Sequence, residues 1–192
     1  MANGVQEYDK QKKMKKVLKV LLWVIGIIAL LLVVALIMLR VASPGKLPEL
    51  KDDQGEVIPG ALSERGFLTI GGLEKGFFIR GENQENPVIL YLPGEPGSRE
   101  LPWIMATEQQ ERLEKYFTVC YWDQRGAGMS YDKDLLPEDV TVQHFVDDTR
   151  DITKYLMERF GKDKIYLMGH SWGSYLGIKV AGQYPELYHA YI

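Results

Sequence analysis

Cysteine occurs once in the 192 residues, at Cys120. A single thiol excludes an internal disulfide and any zinc site built from several cysteines. Its place in an apolar run reads as a buried, inert thiol. Histidine is scarce as well, with three residues, His144, His170 and His189, so a reaction that needs an imidazole base has few candidates. Basic charge is short everywhere but at the start. Residues 1–19 hold six lysines against Glu7 and Asp9, a net +4, which leaves −7 for the remainder of a chain whose total is −3. An acidic body excludes nucleic acid as its principal partner. With 46% hydrophobic and 11% aromatic residues the chain is neither disordered nor of low complexity. No internal repeat is present. The length holds one domain with a tail or anchor, and not two full domains.

What is present first is a long apolar run. Val20 to Leu39 is twenty uncharged residues, almost all Leu, Val, Ile and Ala. As a helix it would be about 30 Å long, the thickness of a bilayer's hydrocarbon core. Trp23 lies near its start, where an interfacial aromatic is favoured. A cleaved signal peptide would have a shorter run and a small-residue cleavage site; here Arg40 stands two residues before Ala42. We therefore read residues 1–19 as a basic tail, 20–39 as a transmembrane helix and 40–60 as a linker rich in Pro and Gly. The tail carries Lys10, Lys12, Lys13, Lys15, Lys16 and Lys19, whereas only Arg40 and Lys46 closely follow the span. That asymmetry predicts a cytoplasmic N-terminus, a body outside the cell membrane, and contact of the lysines with anionic lipid head groups.

Residues 61–192 alternate strand and helix patterns. Phe67–Ile70 and Phe77–Arg80, parted by the turn-rich Gly71–Gly76, predict an antiparallel hairpin. Val88–Leu92 reads as a strand buried on both faces. A helix over Leu101–Lys115 and a strand over Phe117–Trp122 follow. Thr141 is an N-cap for a helix over Val142–Phe160, with Val142, Phe145, Val146, Thr149, Ile152, Leu156 and Phe160 on one face, and Gly161 ends it. Lys164–Met168 reads as a strand, Trp172–Tyr184 as a helix, and Leu187–Ile192 begins another strand. This alternation indicates an α/β domain with a mostly parallel sheet.

Three motifs sit at strand ends. Gly169-His170-Ser171-Trp172-Gly173 is G-x-S-x-G between a predicted strand and a predicted helix. A sharp turn there lifts the Ser171 hydroxyl above the sheet edge. Gly169 and Gly173 are small because backbones crowd, and the backbone N–H of Trp172 can face a developing oxyanion. Pro93-Gly94-Glu95-Pro96-Gly97 follows a strand and can present backbone N–H groups to the same place. Trp122-Asp123-Gln124-Arg125-Gly126-Ala127-Gly128-Met129-Ser130 also follows a strand. Gly126 and Gly128 allow a tight path that Asp123 and Arg125 can brace by charged hydrogen bonds. Its glycine spacing is not that of a dinucleotide fingerprint.

In this order and spacing the motifs resemble those of the α/β-hydrolase superfamily, and specifically its prolyl iminopeptidase-like serine peptidases, over roughly residues 65–192. The resembling pattern is H-G-G-P-G, then D-Q-R-G-x-G-x-S, then G-x-S-W-G. The resemblance implies an α/β-hydrolase fold, a nucleophilic Ser171, an acyl-enzyme, no metal or other cofactor, and a peptide substrate. It also implies oxyanion donation by the N–H groups of Glu95 and Trp172, with Gly94, Gly97, Asp123, Arg125, Gly126, Gly128, Gly169 and Gly173 supporting the motifs. Two positions depart from the pattern. Pro93 stands for its His and Glu95 for its second Gly.

A serine nucleophile needs a histidine base and an acid that orients it, in the chain order Ser, acid, His. After Ser171 only Glu186 and His189 remain. A helix of thirteen residues would carry the chain about 20 Å away, so that pair is rejected as triad members. His144 precedes the turn, and His170 is aimed along it. The expectation is a sheet incomplete at its C-terminal side and a chain inactive by itself. A second chain or a further downstream segment would supply the acid and base. Two other readings stand: a catalytically inactive, membrane-tethered remnant or binding module, and an esterase or lactonase on the same fold.

Overall fold

The computed structural model describes residues 2–42, 47–97, 99 and 112–192. The chain forms two units, Met1–Lys46 and Leu47–Ile192.

The first unit is one helix, α1, Ala2–Ala42. It runs without a break from the basic tail into the apolar span, because Lys, Gln, Glu and Met are helix formers as good as Leu. Its large apolar side chains, from Val17 through Leu39, stand exposed. The stretch Lys12–Ala42 is long and apolar enough to cross a bilayer.

The second unit begins at Leu47, earlier than the linker reading allows. Leu50 is buried, Leu47 packs on a cluster around Ile89, Val119 and Tyr121, and Lys51 bridges Val57. The Pro48 carbonyl accepts hydrogen bonds from Ser63 Oγ and Arg80 Nη1. Two packed leucines and these bonds outweigh the turn-forming composition that suggested a free linker.

Six strands form one sheet: β1 Leu62–Ile70, β2 Leu73–Gly81, β3 Val88–Leu92, β4 Thr118–Trp122, β5 Ile165–Gly169 and β6 Tyr188–Tyr191. Their spatial order is β1-β2-β4-β3-β5-β6. The hairpin turn is only Gly71-Gly72, both at positive φ (57° and 76°), as a two-residue turn matched to strand twist requires. Leu73–Gly76, expected in the turn, is therefore strand. β2 pairs antiparallel with β4, and β3, β4, β5 and β6 run parallel. Of the expected helix Leu101–Lys115, residues 101–111 lie outside the described residues; Leu113–Lys115 is a 3-10 turn.

Helices α2, Val142–Phe160, and α3, Trp172–Gln183, cover one face of the sheet. Thr141 Oγ1 accepts from the His144 N–H, and Gly161 closes α2 in the left-handed conformation. Phe145, Val146, Ile152 and Leu156 of α2, with Leu176 and Val180 of α3, are buried against Ile79, Leu90, Cys120 and Leu167. Burial pushes the Cys120 thiol upward, so it stays protonated and inert.

One topological fact places the site. From β3 the chain passes to β4 on one side, and from β5 through α3 to β6 on the other, while β3 and β5 are neighbours. Adjacent parallel strands whose connections leave in opposite directions open a crevice at their C-terminal ends.

Candidate active site

The segments that leave β3 and β5 meet in that crevice. Ser171 follows β5 by two residues and has φ 51°, ψ −111°; it is the only non-glycine with positive φ among the described residues. Such a conformation costs about 1–3 kcal/mol and persists only where the surroundings impose it. They do so here through a set of backbone bonds. The His170 N–H donates to the Leu92 carbonyl at 3.2 Å, the Gly173 N–H to His170 at 2.7 Å, and the Ser174 N–H to Ser171 at 2.9 Å. Ser174 Oγ donates to the Gly169 carbonyl at 2.9 Å.

The two glycines of the motif are there for space. A Cβ on Gly173 would overlap the Leu92 carbonyl, and one on Gly169 would overlap the Gly173 carbonyl. β3, β5 and the start of α3 are thus in backbone contact, and no side chain fits between them. Ser171 itself is exposed and its hydroxyl makes no capping bond to α3. An unspent hydroxyl on a tight strand-to-helix turn, at the positive end of a twelve-residue helix, has the disposition of a nucleophile.

The other motif residues lie close by in the chain's path. Gly94 is buried and Glu95 and Gly97 are exposed. The Trp172 N–H donates to the Gly94 carbonyl at 3.1 Å. In this structure that N–H, expected to face an oxyanion, is therefore already engaged. Arg125 does brace its segment: Nε and Nη2 hold the two oxygens of Asp148 at 2.9 and 2.7 Å, and Nη1 donates to the Asp139 carbonyl. Asp123 accepts from the Met129 N–H at 2.7 Å, and burial raises its carboxyl above the ordinary value. Its carboxylate also lies against Gly128, where a Cβ would overlap it, while Gly126 takes a positive φ. Both polar residues work on the loop and not on the serine.

Sequence reasoning missed two residues here. Gln124, fully buried, accepts from the Trp172 indole N–H at 3.1 Å and so ties the D-Q-R segment to the elbow. Asp148 anchors Arg125. Its spacing, three after Phe145 and four before Ile152, puts it on the apolar face of α2, and an acid there is a signal for a buried partner.

Two of the histidines have contacts away from Ser171. His144 Nδ1 is 2.8 Å from the Asp139 carbonyl. His189, on β6, lies against the Tyr166 ring. Glu186 is in the 3-10 turn Pro185–Leu187 that leads into β6. Since Tyr188 pairs with Ile165, that turn is at the N-terminal edge of the sheet, away from Ser171. Among the described residues no cluster of His, Cys, Asp and Glu could hold a metal.

Residues 87–192, over half of the chain, match the model of the alpha/beta hydrolase fold family. The chain belongs to that family. Within it the likeness is to the prolyl iminopeptidase branch. A probable aminopeptidase of Bacillus subtilis (strain 168) is 42% identical over 124 residues, covering 65% of this chain and 38% of that protein. The crystal structure of a proline iminopeptidase-related protein from Thermus thermophilus superposes with a TM-score of 0.54 at 30% identity, covering 65% of this chain and 42% of that one. An epoxide hydrolase from Vigna radiata, at 22% identity and TM-score 0.52 over 67% of this chain and 38% of its own, shares the fold. This hydrolase-family chain thus spans well under half the length of those relatives.

Proposed function

We propose that the chain carries the nucleophile of a membrane-anchored serine hydrolase of the peptidase type. The observation that supports this best is Ser171: strained, exposed and uncapped, at the crevice between β3 and β5. In this reading Ser171 Oγ gives its proton to a base and attacks a substrate carbonyl, and the acyl-enzyme forms as the scissile C–N bond breaks and the amine leaves with that proton. The N–H groups of Trp172 and Glu95 receive the oxyanion, and Asp123 and Arg125 hold the neighbouring loop. A peptide from which the N-terminal residue is cleaved is the substrate class favoured by the likeness to the probable aminopeptidase; an ester or lactone uses the same chemistry. Ser171 stands against a mechanism with a carboxylate nucleophile. His144 lies on the Asp139 carbonyl and His189 on the Tyr166 ring, and in this reading the acid and base are supplied by further sequence or by a second chain. α1 holds the protein in the bilayer with its lysines on the cytoplasmic side and the body outside.

A fluorophosphonate probe tests the reading. In native membranes it is expected to label the protein on the peptide containing Ser171, and the Ser171→Ala variant is expected to lose that label. The purified 192 residues should react at least about tenfold more slowly, for want of a base. Equal labelling of the alanine variant, or none at Ser171 in native membranes, would instead favour a tethered module without catalysis.

A further inference from the structure

The bond between the Trp172 N–H and the Gly94 carbonyl has a stereochemical corollary for the oxyanion site. The Gly94 carbonyl and the Glu95 N–H belong to one planar trans peptide, so they point in opposite directions. While that carbonyl faces Trp172 at 3.1 Å, it occupies the place an oxyanion would take, and the Glu95 N–H is turned away. A half-turn of this single peptide plane would reverse both conditions together. It would withdraw the carbonyl, free the Trp172 N–H, and bring in the Glu95 N–H.

We propose that the 94–95 peptide is a gate on the oxyanion site and that Glu95 is the positioning residue that holds it shut. This rests on the serine hydrolase reading for its purpose, and on backbone geometry for its existence. A half-turn of the plane changes ψ of residue 94 and φ of residue 95 by opposite amounts. Gly94 accepts any ψ. Glu95 has negative φ now, since Ser171 alone among described non-glycines is positive, and the turn would drive it positive. Pro96 follows and restricts Glu95 to extended ψ. Positive φ with extended ψ is open to glycine and nearly closed to any residue with a Cβ. The resembling pattern has glycine at this position. With Glu95 the open form has to be drawn out by what binds, so the site forms its donor pair only against a substrate or a transition-state analogue.

Amide hydrogen exchange read residue by residue by NMR, on the full chain in detergent micelles, tests this without relying on catalysis. Glu95→Gly is expected to speed exchange at the Trp172 amide by about tenfold or more. Glu95→Ala, which removes the carboxylate and keeps Cβ, should leave Trp172 as it is in the unsubstituted chain. The Gly173 amide, bonded to His170 at 2.7 Å, is the internal reference, because general loosening would expose it too. Unchanged Trp172 exchange in Glu95→Gly overturns the proposal. So does an equal acceleration in Glu95→Ala, which would make the charge and not the backbone the cause. Fluorophosphonate labelling of the same variants in native membranes separates the two readings. Faster Trp172 exchange in Glu95→Gly with no label on Ser171 would sustain the gate and remove the hydrolase.

Discussion

At the scale of the residue, Ser171 and Gly173 show opposite demands within one turn. Ser171 is held at φ 51° where glycine would be at ease. Ser171→Gly is therefore expected to stabilise the body by about 1 kcal/mol while removing the proposed nucleophile. A rise of roughly 2–4 °C in the thermal midpoint would register it. Gly173 is the reverse case. Its added Cβ would strike the Leu92 main chain, which can yield only by moving β3. Gly173→Ala is expected to cost about 1–3 kcal/mol, read as a lower urea midpoint. Strain kept at the residue proposed as the nucleophile, beside glycines that cannot be spared, is what supports the proposed site energetically.

At the scale of the element, one buried charge cluster ties three segments together. Asp148 of α2 is 1% exposed. It meets Lys75 Nζ of β2 at 3.1 Å, with Lys75 at 0% exposure, and the Arg125 guanidinium of the loop after β4 at 2.7 Å. Two cations share one carboxylate. Asp148→Ala would strand both and is expected to cost about 3–5 kcal/mol, whereas Lys75→Met leaves a balanced pair and should be neutral or stabilising. Burial holds the Lys75 ammonium below its ordinary value, with Arg125 adding to the depression and Asp148 opposing it. Between the lowered folded value and the unfolded one, the unfolded state binds more protons, so stability rises as pH rises through that window. The difference in urea midpoint between the parent chain and Lys75→Met should move in the parent's favour from about pH 7 to about pH 8.5, a comparison in which the opposite contribution of the buried Cys120 thiol, raised by burial, cancels.

The same elements show what the sequence could tell. α2 was legible to the residue, because Thr141, Gly161 and a one-sided apolar pattern are local signals that tertiary contacts do not contradict. The strands β3 and β4 were legible as short apolar runs. The first half of β1, Leu62–Gly66, was not, because Ser63, Glu64 and Arg65 on an edge strand look like loop, and their pairing with β2 supplies what composition hides. Residues 47–60 failed for the same reason: their order comes from contacts with β2, β3 and β4, remote in sequence. At the site, motif spacing located Ser171, Gly169 and Gly173. It could not give the orientation of the 94–95 peptide, since one sequence admits both faces of a peptide plane and only packing selects between them.

At the scale of the whole molecule, the two units differ in surface and charge. α1 exposes a continuous apolar surface preceded by lysines, whereas the body has a net acidic charge and buries its apolar core in two clusters. Leaving that surface in water costs about 25 cal/mol for each Å², which is the physical argument for the proposed bilayer placement of α1. The proposed orientation follows from the lysines that precede the apolar run. Cysteine labelling can check it cleanly, because the one native thiol, Cys120, is buried and contributes no background. Lys13→Cys and Asp53→Cys each place a thiol at an exposed position, before and after the apolar run. A membrane-impermeant maleimide added to intact cells is expected to modify the Asp53→Cys protein and to spare Lys13→Cys until the cells are lysed. The opposite pattern would put the hydrolase body in the cytoplasm. Modification of both in intact cells would mean that α1 does not span the membrane.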